Sequence, residues 1–466
     1  MTEPARGPQS LETFARSHLF RVLALAALIL VLQIPVGMVG DLITERQLRR
    51  DHTIGEVTGK WGGHQEVIGP LLVVPYEVHR VEIRPDGSTR THKRVRHATF
   101  LAESLVIDGD VRGEVRERGI FEVPLYDARI SLSGRFEAPD FEAFEVPPER
   151  VLWDRAVLAV QIADARAIQE AVTLAWGESE IAFEPGLGDG AASACATLGG
   201  PASGIHVRLP DLRGGGATDF SLDLKLHGSG SLSFAPLGRE TEVALHSDWP
   251  HPSFQGAWLP QSHEIVADGF DARWKVPYLG RGFPQAWLSD APPGDIVTAS
   301  RFGVSFVTPI DPYRMSQRAA KYDLLFLGLT FLALWLFEVL AGVRVHAVQY
   351  LLVGGAMSLF YLLLLAFSEH IGVGAAYAIA ATGIIALIAG YAVSVLRERW
   401  RGAAVGGVVA ALYGYLYVLL HNEDHALLVG SVGLFAVLAG VMWLTRGFDW
   451  FERVSFGEAP ENEVSV

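Results

Sequence analysis

The side chains best suited to chemistry collect at the ends of apolar runs. Glu369 and His370 close one such run, and His421, Asn422, Glu423, Asp424 and His425 join two others. Carboxylates and imidazoles brought together in this way could bind a divalent cation or relay protons. The same residues also have a plainer use: Asn422 can cap the last helix, Glu423 and Asp424 can complement its positive N-terminal dipole, and the imidazoles can be solvated. Helix ends require such groups in any case, which favours the plainer use. Glu338 stands apart, because it lies inside an apolar run, where an ionisable group must face the bundle, pair, or reach water. Arg344 and His346 are its candidate partners, and an anchor that fixes two helices is the favoured reading. The candidate functional set is therefore Glu338, Glu369, His370, His421, Glu423, Asp424 and His425. Their spacing defines no catalytic, cofactor or metal site.

Other chemistries are excluded by their missing motifs. The chain has no G-x-x-x-x-G-K-[ST], no H-E-x-x-H, no G-x-S-x-G and no EF-hand loop. Gly186, Gly188 and Gly190 do not complete a dinucleotide fingerprint and read as a loop. Cys195 is the single cysteine, so neither an intramolecular disulfide nor a cysteine zinc site is available. A net charge of -14 with no basic stripe argues against a nucleic-acid partner. The segment Trp249 to Phe254 is rich in aromatic residues and proline; exposed, it would make a recognition patch, and buried, a corner between strands, which its proline and glycine density favours.

The elements that position these residues follow from hydropathy. The 466 residues are 50% hydrophobic, with only 19% charged. That apolar content is concentrated in one N-terminal run and one long C-terminal block. Arg6, Arg16 and Arg21 precede the run from Val22 to Val39, which lacks a small-x-small cleavage site and reads as an uncleaved signal anchor. Pro35 and Gly37 are expected to kink or end its outer part. Apolar runs at Tyr322 to Ala341, Val345 to Phe367, Val373 to Leu396, Ala403 to Leu420 and Ala426 to Leu444 are each near spanning length. Six transmembrane helices are expected, with the bilayer as an obligatory partner. Gly354, Gly355, Gly402, Gly406 and Gly407 would let helices approach closely.

Loop charge sets the orientation. Arg344, the group Arg397, Arg399 and Arg401, and the pair Arg446 and Arg453 fall on one side of the alternating spans, while the loops at Ser368 to Gly372 and His421 to His425 have no Lys or Arg. The expected layout is a cytoplasmic N-terminus (1–21), an anchor (22–40), a β-rich periplasmic domain (41–318), a five-helix block (319–445) and a cytoplasmic tail (446–466). Alternation within 41–318 marks strands near Val67 to Val78, Arg94 to Val106, Gly119 to Phe136, Arg155 to Ala163, Ser221 to Phe234, Glu242 to His246, Glu264 and Arg301. Pro85-Asp86-Gly87 is a hairpin turn signal. Asp164 to Trp176 reads as a short helix capped by Asp164. The small-residue segment Gly186 to Gly204 could divide the domain into two β lobes.

Several stretches resemble the CreD family of bacterial inner-membrane proteins. In the C-terminal block they are RAAKYDLLFLGLTFLALWLFE (Arg318 to Glu338), HAVQYLLVGGAMSLFYLLLLAFSEHIG (His346 to Gly372), and EDHALLVGSVGLF ending in TRGFDWF (Glu423 to Phe451). In the preceding region they are WGGHQEVIGPLLVVPY (Trp61 to Tyr76), ERGIFEVPLYDARISLSGRF (Glu117 to Phe136), WPHPSFQGAWLP (Trp249 to Pro260) and VTPIDPYRMSQRAAKY (Val307 to Tyr322). The resemblance implies an inner-membrane protein of cell-envelope integrity, tied to envelope or β-lactam stress. It implies no reaction, cofactor or catalytic residue. A non-enzymatic role, through an envelope partner of the periplasmic domain, is the leading expectation. The alternative is a membrane enzyme or transporter acting on lipid or cell-wall material through the outer carboxylate and histidine set.

Overall fold

The computed structural model describes residues 18–83, 89–188, 190–196, 198–307, 311–341, 345–396, 398–422 and 425–446. Two compact units emerge, a β body of residues 50–309 and a helical unit formed by residues up to 49 and from 310 onward. The first helix, α1 (His18–Trp61), contributes to both and runs unbroken through Pro35. Of the two effects expected of Pro35 and Gly37, an end to the helix is not found. Instead the helix continues for more than 20 residues past Pro35.

Among the described residues the body contains seventeen strands, numbered along the chain, in two sheets. The nine-stranded sheet comprises β1 (Gln65–Ile83), β2 (Thr89–Phe100), β5 (Val157–Ile162), β8 (Glu184–Pro185), β9 (Gly204–Arg208), β11 (Ser231–Phe234), β13 (Pro252–Gly256), β16 (Ala286–Leu288) and β17 (Phe302–Phe306). The eight-stranded sheet comprises β3 (Ala102–Arg118), β4 (Phe121–Phe136), β6 (Thr173–Trp176), β7 (Ser179–Ala182), β10 (Thr218–Ser229), β12 (Gly238–Ser247), β14 (Ser262–Val266) and β15 (Gly269–Pro277). Short helices α2 (Ala191–Ala196) and α3 (Asp295–Ala299) lie between strands. Along β10 the residues Phe220, Leu222, Leu224 and Leu226 are buried while Ser221 and Asp223 are exposed. This period of two covers one face with the core and wets the other.

The expected two lobes divided at Gly186 to Gly204 are corrected to two sheets around one continuous core. Each sheet takes strands from both sides of that segment. Two expected single strands are also split, because the chain changes sheet within them. The stretch Arg94 to Val106 breaks at Leu101, between β2 and β3. There Gln285 Nε2 donates to the carbonyls of Leu101 and Ala102 at 3.0 and 2.6 Å, and Arg281 Nη1 donates to Gly238 O at 2.9 Å. Arg281 is 2% exposed and lies over the rings of Tyr278 and Phe283, and burial lowers its pKa to about 10. The stretch Ser221 to Phe234 breaks at Gly230, whose φ of +72° is a conformation that L side chains rarely adopt.

Asp164 to Trp176 forms no α-helix. Asp164 does cap, accepting from Arg166 N at 3.0 Å, but only for the single turn Ala165–Ala167. The buried residues Val172, Leu174 and Trp176 then alternate, which is strand rather than helix spacing. The Trp249 to Phe254 corner leads into β13. Trp249 donates its indole N–H to Val307 O at 3.2 Å, and Phe254 packs edge-on against Phe270 and Trp274. Strands β1 and β2 pair from Ile83 and Thr89 inward, while the turn signal Pro85-Asp86-Gly87 lies outside the described residues.

The helical unit adds α4 (Pro312–Lys321), α5 (Asp323–Ala341), α6 (Ala347–Ile371), α7 (Val373–Leu396), α8 (Arg399–His421) and α9 (Ala426–Thr445). Among the described residues five helices are long and apolar enough to span a membrane, or six if α4 and α5, bent by 47°, make one broken span. Leu427, Phe435 and Trp443 of α9 are exposed, as suits a lipid-facing surface. Gly354, Gly402 and Gly406 seat neighbouring helices, because a Cβ on them would meet Leu32, Val393 and Ala389 at 2.3, 2.3 and 2.7 Å. Gly355 and Gly407 face open space.

Candidate functional site

Helix α4 begins with Asp311, whose carboxylate accepts from Tyr313 N at 2.9 Å and Arg314 N at 3.4 Å ahead of Pro312. Its buried face of Tyr313, Ser316 and Ala319 packs on α6 and α8. Tyr313 Oη donates to Glu369 Oε1 at 2.9 Å, and Arg46 of α1 lies 3.9 Å from Glu369 Oε2. Glu369 is thus an interhelical junction at the end of α6. Arg318 Nη2 donates to Leu419 O at 3.4 Å, closing the end of α8.

The other predicted residues are placed differently. His370 and His421 are exposed, and His421 lies on the Tyr417 ring at a centroid distance of 4.5 Å. Asn422, expected to cap the last helix, instead ends α8, donating Nδ2 to Val418 O at 2.9 Å. His425 precedes α9 without a side-chain cap bond, and Glu423 and Asp424 lie outside the described residues. No group of three or more potential metal ligands gathers among the described residues.

Glu338 is 7% exposed and accepts from Tyr350 Oη at 3.1 Å. Of its two expected partners, His346 caps α6, accepting from Val348 N while Gln349 accepts from His346 N, and Arg344 is outside the described residues. A cavity of about 430 Å³ lies beside Glu338, walled by Ala24, Leu28 and Val31 of α1 together with Trp335 and Tyr350.

The polar centre that sequence reasoning missed is Asp323. It opens α5 directly after the bend, is 1% exposed, and accepts from Gln33 Nε2 of α1 at 2.9 Å on Oδ2. The hydroxyl of Tyr361 lies close enough to interact with the carboxyl group, but among the described residues no donor reaches hydrogen-bond geometry on Oδ1. At the edge of its apolar run Asp323 looked like an ordinary end group. The legible signal was Gln33, the sole polar side chain between Val22 and Val39. Further ties follow the same pattern: Tyr377 Oη donates to Tyr413 O at 2.5 Å across α7 and α8, and Tyr415 Oη to Val429 O at 2.7 Å across α8 and α9.

Helices of spanning length with cross-helix polar ties, together with a two-sheet body, define a multi-pass membrane protein carrying a large β domain. The family model described as "Inner membrane protein CreD" matches residues 17–451. The inner membrane protein CreD of Escherichia coli (strain K12) is 32% identical over 441 residues, covering 94% of each chain. The chain belongs to the CreD family and is a multi-pass inner-membrane protein.

Proposed function

We propose that this protein supports cell-envelope integrity and the envelope or β-lactam stress response by binding rather than by catalysis, with the β body as the working part. In this reading both termini are cytoplasmic, residues 41–318 are periplasmic, and the helices hold the body at the membrane. One contrast carries the reading. Inside the helical unit the carboxylates of Glu369, Glu338 and Asp323 join helices, through Tyr313, Tyr350 and Gln33, whereas the eight-stranded sheet of the body presents an open polar face. Replacing Asp41 to Arg318 with a short linker, in a strain lacking its own copy, should abolish stress tolerance at unchanged protein level. Retained tolerance would assign the role to the helices. Reporter fusions near Gly200 and Arg344 test the orientation, with periplasmic activity expected only at the first.

A second reading, a transporter, rests on one observation: Asp323 Oδ1 is buried beside a helix break, and among the described residues no donor reaches hydrogen-bond geometry on it. Under it, Asp323→Asn abolishes tolerance while the protein stays folded. Under the first reading that variant is tolerated.

A further inference from the structure

The outer face of the eight-stranded sheet carries a cavity of about 690 Å³, within the roughly 300–1,000 Å³ typical of small-molecule sites. Its shape comes from a local mismatch of strands. β10 pairs with β6 only at Phe220, Ser221 and Leu222, opposite Trp176, Ala175 and Leu174, and the chain next rejoins at the bridge of Ile168 with Leu226. Between these points the five residues 169–173 face the three residues 223–225, so Glu170 and Ala171 are pushed outward as a wall. The floor is the outward-pointing set on β4 and β10, and Glu180 of β7 lies on the rim.

The chemistry of that floor is specific. Ser131 donates to Asp223 at 2.5 Å, and Lys225 pairs with Glu170 at 2.7 Å. Arg129 lies directly opposite Lys225 in the strand register, within reach of the charge of Glu170; it is exposed, and its side chain makes no hydrogen bond or ion pair among the described residues. Two cations against three carboxylates leave the lining nearly neutral, which gives neither a polyanion nor a polycation a field to bind to. Among the described residues no aromatic side chain lines the groove, and Ala171 is its one exposed aliphatic side chain. An acyl chain would find nothing to bury against. Serine and threonine hydroxyls, carboxylates and a planar guanidinium with free donors are instead what a chain of vicinal hydroxyls needs, each hydroxyl donating once and accepting twice.

We propose that this groove binds a neutral saccharide chain, an inference that rests on the β body being the working part of the protein. Full-length protein in detergent, titrated with the N-acetylglucosamine tetramer and with cellotetraose, should show saturation transfer to at least one of them at millimolar concentration. Ser221→Trp fills the groove from an exposed position and should abolish that transfer. Arg129→Gln, also exposed, should weaken it by about tenfold at unchanged thermal midpoint, and it serves as the test variant if Ser221→Trp lowers that midpoint. A heparin tetrasaccharide should not compete. The proposal is overturned by no transfer from either neutral tetramer, by equal transfer in both variants, or by heparin binding more tightly than the neutral sugars. Deletion of the body tests the preceding reading independently, so failure of one cannot be taken for failure of the other.

Discussion

The β body and the helical unit both bury aromatic side chains, but they use polar groups in opposite ways. In the body, pairs such as Arg135 with Asp219 and Lys275 with Glu242 lie on the wet face, where solvent screens them and they add little. Its cohesion comes from one apolar core running between the sheets, with Phe136, Trp176 and Phe220 at one cluster and Phe254, Trp274 and Phe302 at another. In the helical unit, lipid is as apolar as leucine, so burial of leucine does not drive helices together. Tyrosine hydroxyls and a glutamine amide reach across to carboxylates and to backbone carbonyls of neighbouring helices instead. Which interaction can hold an element in place depends on the solvent around it.

That contrast can be broken most directly in the core. Trp274→Ala, at a side chain 2% exposed, should cost about 3–5 kcal/mol in the unfolding transition of the body followed by near-UV circular dichroism. Arg281→Met should cost about 1–3 kcal/mol in the same assay, since it removes the donors to Gly238 O and to Gln285 and leaves Gly238 O with the longer bond from the Thr241 hydroxyl. Asp323→Leu strands Gln33 and should cost about 1 kcal/mol in a detergent unfolding titration of the helices. If Asp323→Leu proved more damaging than Trp274→Ala, the contrast would be wrong.

The smallest expected effect sharpens the comparison through pH. Burial lowers the pKa of His97 below its usual value. The folded body then binds fewer protons than the unfolded chain, so the stability linked to His97 is present above about pH 6.5 and is lost as pH falls through the depressed value. His97→Gln should make the denaturant midpoint of the body less dependent on pH on the acid side of neutrality. An unchanged slope would remove His97 as its source.

The spans were legible because hydrophobicity over twenty residues is a local property, and Glu338 and Glu369 were legible as acids bordering or entering those spans. Their partners were not. Gln33 and Asp323 are 290 residues apart, and nothing in either neighbourhood names the other. The sheet changes at Leu101 and Gly230 were hidden for a related reason: an apolar run passes through the first and alternation continues across the second, and Gln285, which holds the first, is more than 180 residues away. Asp164 to Trp176 misled because a true capping residue preceded a segment whose apolar spacing, at Val172, Leu174 and Trp176, had already become that of a strand. The groove was illegible because it depends on a two-residue excess between distant strands.

The interleaving of the two sheets has a consequence for proteolysis. A protease that nicks the chain once between Gly186 and Gly204 separates it into pieces that each supply strands to both sheets. Neither piece can leave without tearing open both layers, so the fragments should co-elute on a sizing column and part only when denaturant is added.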